Sequence, residues 1–498
     1  MMALAPDLKL SFSEDCLYLN VFVPDGTPPP EGWAVMVWFH SGDFNTGAIA
    51  MWDASVFAVK QKVIVVTPSY RLNVFGFLTL RDSFCPGNLG LLDQVAALEW
   101  VSTKISAFGG ASNSVCVAGH GAGGSSVTLH MLSPLSAGKF HRAISMSGSG
   151  LLPSTIHDPE TLEKHAVDLG EWFICDKTSL LDCLRNIEAE AFMVQALKDR
   201  TWGPVVDRDF ANVSQAFLPK EPLEILSEGI FNKVPFMVGY TNMEDALLKD
   251  NYDGFTYENF QSFVAEIIST DYSQADINGS CTVDDNYIID SVMFFYELEP
   301  SIEENSNEVS LRQTFVDFTT EKLYGAGAYQ QAASFSHVRP TFIYRFDYKP
   351  KRNFLEGVPE WVSVPHQFEL PFVWGVPHWP TSAQSAQTGW HSTDKKITDI
   401  IMSFWSNFVK FSNPVQNSMN IKWEPFDEKN PSIMIIDKNF DVRDSSNFNF
   451  RKFYFWNYYY PKVLDISRSC CTLNDTSSHN LVPSFTLAFL AGAQYFIT

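Results

Sequence analysis

The sequence predicts an α/β chain built on one large, mostly parallel sheet with helices on both faces. Three observations predict it. Short apolar runs alternate with helix-like stretches from about residue 16 to 250, as βαβ units do. Several of these runs are continuously apolar, the pattern of strands buried on both faces. One of them passes through a glycine-rich turn, Gly119-His-Gly-Ala-Gly-Gly124, directly into a helix-like segment.

Taken in order, Trp33-Ala-Val-Met-Val-Trp-Phe39, Val63-Ile-Val-Val66, Ser114-Val-Cys-Val-Ala118 and Pro235-Phe-Met-Val-Gly239 are expected strands. Gly90-Leu-Leu-Asp-Gln-Val-Ala-Ala-Leu-Glu-Trp-Val101 is an expected covering helix. Residues 251–335 are richer in acidic and polar side chains and are expected to hold helical insertions and loops. Thr341-Phe-Ile-Tyr-Arg-Phe-Asp347 returns as a strand. Ile397, Ile400, Ile401, Phe404, Phe408 and Phe411 recur at helical spacing until Asn413-Pro414, which predicts a helix with one apolar face. That face suits core packing, with a dimer contact as the alternative. No repeat or low-complexity linker divides residues 1–466, which are therefore read as one domain.

Composition narrows the function. The 498 residues are 45% hydrophobic and 18% charged, enough to bury a large core, which excludes a disordered, collagenous or coiled-coil chain. The formal charge is −22 with no Lys/Arg cluster, so there is no footprint for a phosphate backbone and nucleic-acid binding is not expected. Basic partners or cationic ligands are favoured. The eight cysteines are too few for a disulfide scaffold, and none stands in a CxxC zinc pattern. Asn212-Val-Ser, Asn278-Gly-Ser and Asn474-Asp-Thr are N-glycosylation acceptors.

The ends bear on location. Met1-Met-Ala-Leu-Ala-Pro6 has no charged or long apolar stretch of the signal-peptide type. Residues 467–498 join a small polar spacer to an uncharged apolar tail, the layout of a GPI-attachment signal, with a docked C-terminal segment as the alternative. Pro483 and Gln494 make the tail a poor permanent span.

The chemistry centres on the glycine-rich turn. A strand, a sharp turn and a helix make the context of a nucleophile elbow, in which G-x-S-x-G projects a serine hydroxyl above the sheet. Here the serine position is Gly121. Small flanking residues keep the turn; the nucleophilic oxygen is gone.

Beyond the elbow, Ser13-Glu-Asp-Cys-Leu-Tyr-Leu-Asn-Val21, Ser69-Tyr-Arg-Leu72, Phe75-Gly-Phe-Leu78, Asn88-Leu-Gly-Leu-Leu-Asp-Gln94, Phe108-Gly-Gly110, His141-Arg-Ala-Ile-Ser-Met-Ser-Gly148 and Trp202-Gly-Pro-Val-Val-Asp207 extend a pattern over nearly the whole chain. In these segments the sequence resembles the type-B carboxylesterase and cholinesterase family. The resemblance implies an α/β-hydrolase fold and, within Val238-Gly-Tyr-Thr-Asn-Met-Glu-Asp245 and Val364-Pro-His-Gln-Phe-Glu-Leu-Pro-Phe-Val-Trp-Gly375, an acid at Glu244 and a base at His366. It implies oxyanion donors at Gly42, Asp43 and Ala122, although His40-Ser-Gly-Asp-Phe44 departs from the family's run of glycines. It also implies a disulfide between Cys175 and Cys183, a partner for Cys16 upstream of this start, and initial strands upstream as well.

With Gly121 at the nucleophile position, two readings follow. The first is a catalytically impaired relative, similar to neuroligin-, neurotactin- and glutactin-type members. It would act outside the cell or at its surface by binding a protein partner or a small ester-like ligand, with a homodimer and membrane attachment through the tail as further expectations. The second is a carboxylic ester hydrolase with a rewired site, acting on water or on an unusual nucleophile. Ser125 and Ser126 should turn away from the elbow, while Ser41 lies nearer. His40, His120 and His366 are placed to converge with Glu244, which raises a metal reading of lower weight; neither cofactor nor metal is expected.

Overall fold

The structure is a computed structural model that describes residues 13–152, 155–195, 201–211, 215–247, 255–273, 286–296, 308–351, 354–355, 357–380 and 389–473. The glycosylation acceptors Asn212, Asn278 and Asn474 and the tail from 474 lie outside these residues.

Contacts group the chain into two compact units, Met1–Phe255 with Asn307–Asn457, and Thr256–Ser306 with Tyr458–Thr498. The first unit holds a nine-stranded sheet. Its strands are β1 (Leu19–Phe22), β2 (Trp33–Phe39), β3 (Ile64–Pro68), β4 (Gly110–His120), β5 (Arg142–Met146), β6 (Phe236–Thr241), β7 (Thr341–Phe346), β8 (Ser432–Ile436) and β9 (Asp441–Asp444). The order is β1-β3-β2-β4-β5-β6-β7-β8-β9, parallel from β3 to β8, with β1 and β9 antiparallel at the edges. This is the mostly parallel sheet of the α/β-hydrolase fold.

The continuous apolar runs are explained by cover on both faces. Along β2, Met36 and Trp38 enter one core cluster, while Val35, Val37 and Phe39 enter the other. The first is closed by α4 (Ser392–Phe411), whose Ile397, Ile401, Phe404 and Phe408 are buried there; Phe411 is exposed, so the stripe serves core packing up to its last turn. A capping box opens α4, with the Asp394 carboxylate accepting the His391 N–H at 2.7 Å, and left-handed Ser412 ends it. The opposite face is covered by α1 (Leu89–Lys104), α2 (Ala122–Leu132) and α3 (Ala326–Ser336) through Leu98, Val127, Met131, Tyr329 and Phe335. The second unit contains helices Tyr257–Ser273, Asn286–Phe295 and Tyr460–Leu473, in line with the helical insertion expected after 251.

The helix after the elbow begins at Ala122, earlier than the glycines suggest. Gly123 and Gly124 belong to the helix because it lies against the sheet: a Cβ on Gly123 would stand 2.0 Å from the Phe39 carbonyl oxygen, and one on Gly124 2.8 Å from that of Met146. Close approach, not turning, selects glycine there.

Cys175 and Cys183 form the disulfide, with Cα atoms 5.7 Å apart and a sequence separation of 8. Cys16, Cys85 and Cys116 are free. Closing so short a loop restricts the unfolded chain by about 2–3 kcal/mol. Replacing both half-cystines by serine should lower unfolding free energy by that amount in urea melts; an unchanged midpoint would mean the bridge contributes nothing.

Candidate active site

The site stands at the carboxyl ends of β4, β5, β6 and β7, where a parallel sheet leaves a crevice. Gly121 is the single residue between β4 and α2, with φ 55° and ψ −122°. Few L side chains adopt that conformation. Its N–H donates to the Met146 carbonyl at 2.9 Å and its carbonyl accepts from the Ser125 N–H at 2.9 Å, so the turn is fastened on both sides.

Glu244 and His366 come together across the crevice. His366 Nδ1 lies 2.6 Å from Glu244 Oε2. The carboxylate is fully buried and its other oxygen accepts from the Ser147 hydroxyl and the Thr241 N–H, each at 2.6 Å. The main chain is fixed as well: the Glu244 N–H donates to Thr320 Oγ1 at 3.0 Å, and the His366 N–H donates to the Glu244 carbonyl at 2.9 Å. Two hydrogen bonds besides the histidine thus hold the carboxylate charged and oriented.

The far nitrogen of His366 faces the vacated position. A Cβ built on Gly121 would lie 3.4 Å from His366 Nε2 and 2.7 Å from Ser41 Oγ. A histidine oriented by a carboxylate is the arrangement that takes a proton from a hydroxyl. At residue 121 there is none to give one.

Burial opposes charge on His366, but the Glu244 carboxylate overrides it, with Glu369 and Asp245 adding to the effect, and raises the imidazole pKa to about 9. Burial likewise pushes Asp245 up to about 6, against the Tyr324 hydroxyl that donates to it at 2.9 Å. Because the folded His366 pKa lies above its unfolded value of roughly 6.5, the pair contributes fully below that pH and loses its contribution as pH rises through about 9. Urea melts at pH 6, 8 and 9.5 should show wild type losing stability over this window and His366→Gln losing less; parallel curves would contradict the assignment.

The proposed oxyanion loop is built from Gly42, Asp43 and Phe44, with φ 126°, 52° and 61°. The Gly42 carbonyl accepts from the Asn45 and Thr46 N–H groups at 2.9 and 2.8 Å, and Asn45 Nδ2 anchors the loop to the Trp202 carbonyl at 3.0 Å. Phe44 is buried against Phe77, ring centroids 5.2 Å apart. Asp43 is exposed. Ala122 opens α2, so its N–H has no acceptor within its own helix.

The histidines are brought together only in part. His120 and His366 have ring centroids 4.4 Å apart. His120 Nε2 lies 3.1 Å from Glu369 Oε1, both deeply buried, without the alignment of a hydrogen bond. His40 instead stacks on Tyr70 at 4.4 Å, its Nδ1 2.9 Å from the Ser41 carbonyl, and burial lowers its pKa to about 4. Among the described residues no three His, Cys, Asp or Glu side chains are grouped to hold a metal ion. Ser125 and Ser126 do turn away, accepting from the Ser149 N–H at 3.1 Å and from Gln94 Nε2 at 3.2 Å.

Sequence reasoning missed Ser147, Thr320, Tyr324 and Glu369 as members of this site. Ser147 lies inside the segment His141–Gly148 and Glu369 inside the segment Val364–Gly375, which carry the resemblance and were the available signal; Thr320 and Tyr324 meet the pair only through tertiary folding.

Comparison with known proteins identifies the family. Residues 2–456 match the model of the carboxylesterase family. The chain is 32% identical over 425 residues to the medium-chain fatty acyl-CoA hydrolase precursor of Anas platyrhynchos, covering 84% of this chain and 72% of that protein. It is 30% identical to liver carboxylesterase 1 of Oryctolagus cuniculus over 86% of this chain and 75% of that one. With acetylcholinesterase 1 of Caenorhabditis briggsae it shares 30% identity over 83% of this chain and 67% of the other. With a matching family model over nearly its full length, this chain belongs to the carboxylesterase family.

Proposed function

We propose that this protein is a catalytically impaired carboxylesterase that binds ester-like ligands in the crevice and does not turn them over at enzymatic rates. One observation carries the reading: Gly121, with no side chain, stands opposite His366 Nε2 where an elbow serine would stand. Loss of the nucleophile alone costs on the order of 10⁶-fold in rate. The retained Glu244–His366 pair then acts as a buried, hydrogen-bonded element of the pocket wall. The disulfide Cys175–Cys183 supports a place outside the reducing cytosol, at the cell surface or secreted. Among the described residues no helix is long and apolar enough to cross a membrane. The net charge of −22 favours a basic protein as any further partner.

The second reading, a rewired ester hydrolase, is favoured by the intact 2.6 Å contact between Glu244 and His366. Purified protein mixed with p-nitrophenyl butyrate separates the two. Binding seen by tryptophan fluorescence, with turnover at least about 10⁴-fold below the ~10 s⁻¹ common for enzymes, is expected. Turnover near that common value, abolished in His366→Ala, would establish the hydrolase instead.

A further inference from the structure

We propose that Ser41 is the acyl-accepting residue of this pocket, taking an acyl or phosphonyl group from a bound electrophile in a slow, stoichiometric reaction. The inference rests on the binding reading, since the electrophile must first occupy the crevice.

The geometry points to Ser41 because a single point, the place where a Cβ on Gly121 would stand, lies 2.7 Å from Ser41 Oγ and 3.4 Å from His366 Nε2. A hydroxyl and an oriented imidazole therefore flank the space left by the missing side chain. The other serines around the elbow are engaged. Ser145 donates to the Gly124 and Gly148 carbonyls at 2.9 and 2.8 Å, and Ser147 donates to Glu244 at 2.6 Å. Ser125 and Ser149 accept the N–H groups of Ser149 and Leu151, each at 3.1 Å. Ser41 sits on the loop that also carries Gly42 and Asp43 and is partly exposed.

The step balances without any other reagent. The Ser41 Oγ–acyl bond forms as the ester C–O bond breaks, the hydroxyl proton passes to His366 Nε2, and the departing alcohol takes that proton. His366 is faced by Glu244, Asp245, Glu369, His120 and Tyr324, and the carboxylates keep it largely charged at neutral pH. Proton transfer is therefore slow at neutral pH, and capture is slow with it.

The test uses the full chain and a fluorophosphonate, an electrophile whose serine adduct is stable. After incubation at pH 9, digestion and mass spectrometry should place one adduct on Ser41. Labelling should disappear in Ser41→Ala and fall at least about 100-fold in His366→Gln, both with thermal melts showing a folded protein. Separate measurement of p-nitrophenyl butyrate binding to the wild type keeps the two ideas apart. Binding without an adduct, or an adduct on another residue that survives Ser41→Ala, overturns the role of Ser41 alone. Failure of the wild type to bind overturns the reading beneath it.

Discussion

At pH 9, where a substantial fraction of His366 is neutral, Gly121→Ser in a Ser41→Gly background is expected to raise kcat/KM for p-nitrophenyl butyrate by about 10³-fold or more over wild type. The expectation follows from what the variant restores and what it leaves altered. A serine Oγ at 121 projects from a Cβ 3.4 Å from His366 Nε2, which supplies the hydroxyl that the Glu244–His366 pair lacks. Nucleophile loss accounts for about 10⁶-fold, and the departure at Asp43, which this variant keeps, holds the recovery below that. Removing the Ser41 side chain is part of the design, because its Oγ stands 2.7 Å from the new Cβ and must otherwise move. Gly121→Ser alone should therefore recover less. Both variants should be less stable than wild type by about 1–3 kcal/mol, because φ at residue 121 is 55° and any Cβ there is strained. Steady-state kinetics and urea melts on the same preparations check both halves. A double variant as inert as wild type would mean that Gly121 is not what silences the site.

Glu244→Ala is expected to cost about 3–5 kcal/mol of folding free energy, the largest effect of any single substitution in the crevice. The carboxylate accepts from His366, the Ser147 hydroxyl and the Thr241 N–H, all at 2.6 Å, and it is buried. Truncation strands every one of those donors. Glu244→Gln, which keeps the shape and one accepting oxygen, should cost distinctly less. A double-mutant cycle with His366→Ala separates the histidine contact from the two other bonds. A cost below about 1 kcal/mol for Glu244→Ala would show that the pair is not formed as described.

Much of this was legible in the sequence, for identifiable reasons. β2, β3, β4, β6 and β7 are continuous apolar runs because both faces of the sheet are covered, and such runs stand out. The elbow was legible because Gly119–Gly124 joins a strand to a helix, and the positions of Glu244 and His366 followed from the resemblance. β1, β5, β8 and β9 were not read. β9, Asp441–Asp444, is a short, mostly exposed edge whose pairing depends on β8 and leaves no pattern of its own. The start of α2 was placed late because Gly123 and Gly124 read as turn residues, whereas their role is contact with β2 and β5 backbone. The polar surroundings of Glu244 were least legible. Thr320 lies 76 residues from Glu244 and nothing local marks it, whereas Ser147, 97 residues away, is marked only by its place in the segment His141–Gly148. Whether Asp43 faces into the pocket or outward is likewise a property of the left-handed turn at residues 43 and 44, not of the residue type.

The central claim is that the protein keeps an acid–base pair with no elbow hydroxyl to act on. The most direct measurement is steady-state release of p-nitrophenol by purified wild-type protein, followed past many equivalents of ester per chain and repeated in His366→Ala. The account predicts at most a single slow equivalent and then a rate indistinguishable from buffer. Sustained release near ~10 s⁻¹ that vanishes in His366→Ala would contradict it.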